Sequence, residues 1–197
     1  MNVVSDSLKS GSALADDYIN RFSEVQPLYG EDFRDEASWL KRVEWLDQSE
    51  SGRVNRGELA EVLRRYNSRH NDHQAVHNAL DLLAKEGTLA VVGGQQSGLF
   101  TGSLLVIYKA MTIIQSAQEA AKKFNRPVVP VFWIAGEDHD FDEVNHTYVM
   151  TPELKVAKIK MEAKPGPRSS VSAIPIGPNE WKQSFDQLGR WLPDSEN

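Results

Sequence analysis

The chain of 197 residues contains no cysteine. This absence excludes disulfide bonds, zinc sites built from thiolates and a cysteine nucleophile. Basic residues are also in deficit, because 22 lysines and arginines stand against 28 aspartates and glutamates, for a formal net charge of −6. Such a balance argues against general nucleic-acid binding, which usually needs a basic face.

Long apolar runs are missing as well. No basic segment followed by an apolar run opens the chain, so no signal peptide is visible. No run approaches the roughly 18 apolar residues that a membrane span needs. We therefore expect a cytoplasmic protein that binds neither nucleic acid nor membranes. The 40% hydrophobic and 25% charged residues are typical of a globular protein.

Residues 1–87 show the periodicity of amphipathic helices. A short helix is expected before Pro27. Asn55, followed three residues later by Glu58, resembles a capping box, and Gly87 is placed like a C-terminal cap. The apolar stripes comprise Tyr18, Ile19 and Phe22; Trp39, Leu40, Val43 and Leu46; Leu59, Val62, Leu63 and Tyr66; and Val76, Ala79, Leu80 and Leu83.

The pattern then changes to two short apolar runs of the kind that form strands, Leu89–Val92 and Val128–Ile134. A helix of about 20 residues joins them; we expect it to begin near Thr101–Ser103 and to end by Phe124. Strand, helix and strand in this order predict a βαβ unit with parallel strands, and hence an α/β fold.

Farther along, Ala157, Ile159 and Met161 alternate with charged residues, which predicts a half-exposed strand. Ser172–Ile176 is a second candidate strand. Trp181, Phe185 and Leu188 recur at helical spacing and predict a last helix.

A glycine-rich segment, GGQQSGLFTG, follows the first predicted strand. Its glycines permit positive φ angles and close approach to a ligand, and the next helix would point its N-terminus at a phosphate or carboxylate. The segment matches neither the GxGxxG motif nor a P-loop. A tight turn that leads into a packed helix would explain the same residues equally well. The candidate binding residues are Gln95, Gln96, Ser97, Gly98, Thr101 and Gly102.

An acidic segment, GEDHDFDE, follows the second predicted strand. Five carboxylates and one imidazole in seven residues are costly unless they bind a cation, an ammonium group or helix N-termini. A carboxylate beside His139 would stabilise its charged form and fix its tautomer for acid–base chemistry. A divalent metal ion and a solvated acidic turn are the alternatives. The candidates are Glu137, Asp138, His139, Asp140, Asp142 and Glu143, with His146 able to join them.

The two segments are expected to meet, because ligands of open parallel sheets bind outside the carboxyl ends of the strands. By contrast, His70, His73 and His77 lie on or near the predicted early helices. His73 and His77 have a spacing that a metal could use, but no third ligand is evident, so we interpret them as surface residues.

The motifs GGQQSGLFTG followed by YKA, and then PVFWIAGEDHDFDEVNH, resemble the N-terminal part of the cysteine-adding enzymes of bacillithiol biosynthesis. The resemblance runs from about Tyr18 to the end. It implies a Rossmann-like core and a ligase that joins cysteine to glucosaminyl-malate through an amide. It also implies ATP or another nucleotide as the activating cofactor, with no metal assigned, and a full-length protein that forms homo-oligomers.

Carried over motif by motif, the resemblance assigns catalysis to Asp138, His139 and Asp140, and binding to Glu137, Glu143, Asn145, His146 and the glycine-rich segment. Ser103 stands where the family often has proline. Proline would pre-set the first helical turn, so its loss is expected to weaken order at that turn. Family members are also much longer, so we expect an N-terminal fragment, inactive alone. The implied organisation is a helical region (1–87), the first half of a Rossmann-like core (88–147) and the start of an insert (148–197).

Two other functions stay open. A metal-dependent hydrolase would use Asp138, His139 and Asp140 and would need a stoichiometric divalent ion. An inactive nucleotide-binding fragment would bind without turnover.

Overall fold

The computed structural model describes residues 11–49, 53–162 and 169–192. These residues form eight α-helices and four β-strands, and the chain divides into two compact units, Met1–Val54 and Asn55–Asn197. Two strands form a parallel sheet and two form an antiparallel sheet. The predicted α/β class with a parallel sheet is therefore confirmed. No helix of the described ranges is long and apolar enough to cross a membrane.

The first unit contains three helices, α1 (Ala13–Asn20), α2 (Phe22–Tyr29) and α3 (Glu36–Gln48). The prediction of one helix that ends before Pro27 is wrong. The helical conformation is interrupted at Arg21, and α2 continues through the proline. The break lets rings of both helices form one cluster around the buried Phe22. Its rings belong to Tyr18, Phe22, Tyr29 and Phe33.

The end of α1 is stabilised from outside the helix. The guanidinium group of Arg34 donates to the carbonyl oxygens of Tyr18, at 3.1 Å, and Ile19, at 2.5 Å. Carbonyl groups in the last turn of a helix have no partner within that helix. Arg34 supplies one, which offsets the cost of ending α1 at Asn20.

The second unit begins with α4 (Arg56–His70) and α5 (Gln74–Leu83). The predicted start of α4 is confirmed, because the Asn55 side chain accepts from the backbone N–H of Glu58 at 3.1 Å. Gly87 does not cap α5, which ends at Leu83. It has a φ of 74° and lies in the turn that leads into the sheet.

The parallel sheet consists of β1 (Leu89–Gln96) and β2 (Val128–Ala135), which pair over their whole length. β1 is four residues longer than predicted, because it includes Gly93–Gln96. Gly94 is needed there, since a Cβ atom at this position would collide with the carbonyl oxygen of Trp133 on β2.

Helices cover both faces of this sheet. α6 (Leu104–Phe124) connects the strands and begins and ends as predicted, with Asn125 in the left-handed conformation at φ 49°. It packs so closely on β1 that a Cβ atom at position 93 would collide with the side chain of Ile113. On the other face, α5 packs against β2 in a buried cluster of Leu80, Leu83 and Val129.

After β2 the chain forms a short helix, α7 (Phe141–Val144), and the antiparallel strands β3 (His146–Met150) and β4 (Val156–Lys160). The predicted alternation in β4 is confirmed, since Ile159 is fully buried between exposed lysines. The last helix, α8 (Pro178–Trp191), also forms as predicted.

The predicted strand Ser172–Ile176 is wrong. Val171–Ala173 is a 3₁₀ turn instead. The backbone N–H groups of Val171 and Ser172 donate to the carbonyl oxygens of Asp138, at 2.7 Å, and Gly136, at 3.0 Å. These bonds attach the turn to the acidic segment, so the backbone groups that a strand would use are already paired.

A second core cluster joins the glycine-rich segment to the antiparallel sheet. Leu99 lies in that segment, is buried and packs with Ile159 and Met161. The hydroxyl of Thr147 on β3 also donates to the carbonyl oxygen of Gly102, at 3.4 Å. The path of the chain between β1 and α6 is therefore set by contacts with β3 and β4.

Candidate functional site

A pocket of about 410 Å³ lies between the glycine-rich segment and the α7–β3 region. The register of the parallel sheet explains this place, because Gln96 and Ala135 are paired and both strands end side by side. The meeting of the two polar segments that we predicted therefore occurs. The lining residues are Gln95, Gln96, Ser97, Gly98, Gly102, Ser103, Leu104, Val106, Glu143, Val144, His146, Thr147 and Tyr148.

The glycine-rich segment is held in a tight conformation. Phe100, Thr101 and Gly102 have consecutive positive φ angles of 51°, 71° and 72°. Residues with a Cβ atom rarely adopt such angles, and a β-branched threonine does so at a cost. Gly98 approaches Gly102 so closely that a Cβ atom at 98 would lie 2.8 Å from the Gly102 Cα atom. Packing of Leu99 and closure of this turn maintain the strain.

The turn places Ser97 in the lining of the same pocket as Ser103 and Leu104, at the N-terminus of α6. The Ser97 hydroxyl oxygen is buried and has no hydrogen-bond partner among the described residues. Ser103 is the N-cap of α6, but its side chain makes no capping hydrogen bond. Buried polar groups are normally paired, and the first N–H groups of a helix lack partners within it. Together these groups can bind an anionic ligand.

The acidic segment is organised around Asp138. The backbone N–H groups of Asp140, at 3.3 Å, and His139, at 2.6 Å, donate to its carboxylate. These bonds lower the pKa of Asp138 below the ordinary 3.8, and the side chain of Gln96 contributes in the same direction. The ionised carboxylate therefore holds the turn and connects it to the end of β1.

The other acidic candidates are placed differently. His139 is more than half exposed, and its Nδ1 atom lies 3.7 Å from the Asp138 carboxylate. Glu137 is exposed, and Asp140 is the N-cap residue of α7 without a capping bond from its side chain. None of these residues lines the pocket, and neither does Thr101. Their assigned roles in binding and catalysis stay predictions.

Glu143 and His146 are the candidates after β2 that do line the pocket. Asn145 lies behind them, only 3% exposed, and is hydrogen-bonded to both Asp142 and His146. An acid, an imidazole and the N-terminus of α6 are thus placed around one cavity. Such an arrangement can bind a group with a negative end and an amino end.

Sequence reasoning did not single out Lys109. Its ammonium group donates to Oε1 of Gln95 at 2.5 Å, across 14 residues, and the Gln95 amide nitrogen donates to Oε1 of Gln96 at 2.7 Å. The lysine falls within the YKA motif, which could have drawn attention to it. The pocket residues Leu104, Val106, Val144, Thr147 and Tyr148 gave no such signal, because their contribution depends on the packing of β3.

No group of three or more histidine, aspartate or glutamate side chains is arranged to hold a metal ion within residues 11–49, 53–162 and 169–192. His73 and His77 have structural partners. The Nδ1 atom of His73 accepts from the N–H of Ala75 at 3.1 Å, and Nε2 of His77 lies 2.6 Å from the Asp72 carboxylate.

The comparison with protein families identifies the chain. Residues 1–197 match the model described as "Bacillithiol biosynthesis BshC, N-terminal Rossmann-like domain". The chain belongs to this family. The match confirms the family predicted from the two motifs, and also the Rossmann-like character of the parallel sheet.

Curated relatives agree. Proteins named "Putative cysteine ligase BshC" from Geobacillus sp. (strain WCH70) and Staphylococcus carnosus are 39% and 36% identical to the chain, over 89% and 91% of its length. One from Oceanobacillus iheyensis is 46% identical over 61% of the chain. These alignments cover 32%, 33% and 21% of the relatives, so the chain spans about a third of their length.

Proposed function

We propose that this chain supplies one wall of the active site of a ligase that adds cysteine to glucosaminyl-malate by forming a carbon–nitrogen bond. The observation that supports this proposal is the pocket itself, which is lined by Ser97 and the N-terminus of α6 together with Glu143 and His146. The family to which the chain belongs supplies the substrates in the proposal.

The anion-binding part of the pocket, formed by Ser97 and the N-terminus of α6, would hold a carboxylate or phosphate group. The unpaired Ser97 hydroxyl can donate one hydrogen bond, and the first backbone N–H groups of α6 can donate others. Both features fit ATP or another nucleotide. When bound, the nucleotide would supply the group that activates the carboxylate of cysteine.

Glu143 and His146 would interact with the amino groups of the substrates. The carboxylate of Glu143 suits the ammonium group of cysteine, and His146 suits proton transfer. In the bond-forming step, the lone pair of the glucosaminyl-malate amine would attack the carbonyl carbon of the activated cysteine carboxylate. The bond from that carbon to the oxygen that carries the activating group would break, that group would leave with the bonding electrons, and the amine proton would pass to the His146 imidazole.

Asp138 does not line the pocket and would act by ordering the residues around it. Its carboxylate orders the turn after β2 and is a hydrogen-bonding neighbour of Gln96. His139 and Asp140, which we predicted as catalytic, do not line this pocket and would act only on a substrate that extends beyond it. We further propose that the whole protein acts in the cytoplasm on small molecules and forms homo-oligomers.

A chimera tests the proposal. Residues 1–197 would be continued by the remaining part of the Geobacillus relative, and the product of cysteine, glucosaminyl-malate and ATP would be followed by mass spectrometry. We expect the cysteine adduct, and a decrease of about 3- to 10-fold in kcat/KM for Ser97→Ala, which corresponds to one neutral hydrogen bond. Ser68→Ala is the control, because its hydroxyl bonds only within α4, to the carbonyl of Arg64.

The outcomes separate the alternatives. A folded chimera that makes no adduct, while the intact relative does, contradicts the proposal. Nucleotide binding without turnover would favour the inactive fragment. Hydrolysis that depends on a divalent ion and is lost in Asp138→Asn would favour the metal-dependent hydrolase.

A further inference from the structure

Asn145 lies between a carboxylate and an imidazole. It is 3% exposed, although its side chain is an amide. Its Nδ2 atom lies 3.3 Å from a carboxylate oxygen of Asp142, and its Oδ1 atom lies 3.1 Å from Nδ1 of His146. A buried amide with both ends paired has one stable orientation.

The donor and acceptor properties of the three groups fix where the protons are. An ionised carboxylate only accepts hydrogen bonds, so the Asn145 nitrogen must be the atom that faces Asp142. The amide oxygen then faces His146, and an amide oxygen also only accepts. The Nδ1 atom of His146 must therefore carry a proton. In the neutral ring, the remaining nitrogen, Nε2, is an acceptor.

The Nε2 atom is available for chemistry. His146 lines the pocket, whereas Asn145 does not. In the part of the chain that the structure describes, the imidazole also makes a ring contact with Tyr148, which meets it edge to face at 5.4 Å. That contact fixes the ring plane without using a ring nitrogen.

We propose that Asn145 is a positioning residue that holds His146 in the Nδ1–H form, so that Nε2 receives the amine proton during carbon–nitrogen bond formation. The proton acceptor role rests on the proposed function, whereas the tautomer does not. The inference moves the acid–base role from His139, which is exposed and outside the pocket, to His146.

Charged groups around His146 come from two elements, α7 and β4. Glu143 on α7 shares the pocket, and Asp142 lies behind Asn145. Lys160 is the cross-strand partner of His146, and its ammonium group lies 3.6 Å from Asp142 and 3.4 Å from Glu162. The lysine is thus engaged by carboxylates, and the contacts with the ring itself come from Asn145 and Tyr148.

Long-range ¹H–¹⁵N spectra of the ring nitrogens test the tautomer in this chain. We expect the neutral His146 ring to show Nδ1–H and an unprotonated Nε2 atom. His73 is the internal control with the opposite form, because its Nδ1 atom accepts from a backbone N–H and the proton must be on Nε2. An Nε2–H form of His146 would overturn the inference.

Two variants test the role of Asn145. Asn145→Ala should move His146 toward the Nε2–H form that free histidine prefers, while His73 stays unchanged. Asp142→Asn should do so partly, because a neutral amide no longer fixes the orientation of Asn145. Asp142 is 84% exposed, so this variant should fold even if Asn145→Ala does not. An unchanged Nδ1–H form in both variants would overturn the positioning role.

Activity of the chimera separates the two parts of the inference. His146→Gln should reduce kcat about 10²–10⁴-fold with little change in KM, as expected for loss of a general base. Asn145→Ala should reduce kcat less and shift the pH profile. If His146→Gln keeps its kcat while the chimera forms the amide, the base role is wrong although the proposed function holds. If no variant or parent forms the amide, the proposed function fails while the tautomer result stands.

Discussion

The ammonium group of Lys109 lies 2.5 Å from the side-chain oxygen of Gln95. The Gln95 nitrogen in turn donates to the oxygen of Gln96, and Gln96 is a neighbour of the Asp138 carboxylate. A lysine can only donate and a carboxylate can only accept, so the two glutamine amides between them can point in only one direction. This series of contacts connects the second turn of α6 to the acidic segment.

Lys109→Met should therefore destabilise the protein by about 1–2 kcal/mol, because it leaves the partly buried Gln95 oxygen without its donor. Denaturant unfolding measures the change. Lys182→Met is the matched control, since it removes an exposed ion pair with Asp186 of the kind usually worth about 0.3–0.5 kcal/mol. Equal effects of the two variants would show that the Gln95 contact contributes nothing special.

The strained turn gives a prediction of the opposite sign. Thr101 has a φ of 71°, so Thr101→Gly should stabilise the folded protein by about 1 kcal/mol through relief of backbone strain. Thr112→Gly, in the middle of α6, should instead destabilise it by roughly 0.3–1 kcal/mol. Thermal unfolding of both variants checks the signs, and a destabilised Thr101→Gly would mean that the threonine side chain makes a contact worth more than the strain.

Leu99 should anchor the glycine-rich turn. Leu99→Ala removes a buried side chain from the cluster with Ile159 and Met161, and should cost about 2–4 kcal/mol. The control Leu105→Ala changes a side chain that is 58% exposed on α6 and should cost less than about 0.5 kcal/mol. Urea unfolding gives both values. A loss at Leu99 no greater than that at Leu105 would show that the turn does not depend on β3 and β4.

Asp138 should make stability depend on pH in the acidic range. Backbone N–H groups lower its folded-state pKa below 3.8, so the folded state favours the ionised form. Its contribution is therefore fully present above the unfolded-state pKa and is lost as pH falls through the folded-state pKa. Stability of the parent and of Asp138→Asn would be compared between about pH 6 and pH 2.

The difference between these two proteins should shrink toward the acidic end. Asp186→Asn is the control, because Asp186 lies in an exposed ion pair with Lys182. A difference for Asp138→Asn that stays constant over the whole range would mean that the carboxylate titrates equally in both states.

Much of the fold follows from local signals. The bounds of α6 could be predicted because Ser103 and Asn125 mark its ends, and the start of α4 because Asn55 caps it. The extension of β1 could not be predicted, since it contains two consecutive glycines and glycine is a poor strand former. It forms because β2 pairs with every residue through Gln96.

The candidate site was predictable in place but not in detail. The order of strands and polar segments predicted that the two motifs meet. The sequence could not distinguish His139 from His146, because the difference lies in which imidazole the short helix α7 turns toward the pocket. The prediction of a strand at Ser172–Ile176 was wrong for a similar reason. The backbone N–H groups of Val171 and Ser172 donate to the acidic segment instead.

Titration of the ¹⁵N-labelled protein with ATP and with cysteine tests the central claim most directly, namely that Ser97 and the N-terminus of α6 form an anion site. We predict saturable shifts of the backbone amides of Gly98, Gly102 and Leu104, with affinity reduced about 3- to 10-fold by Ser97→Ala and unchanged by Ser68→Ala. Shifts that avoid these amides, or that are the same in both variants, would contradict the account.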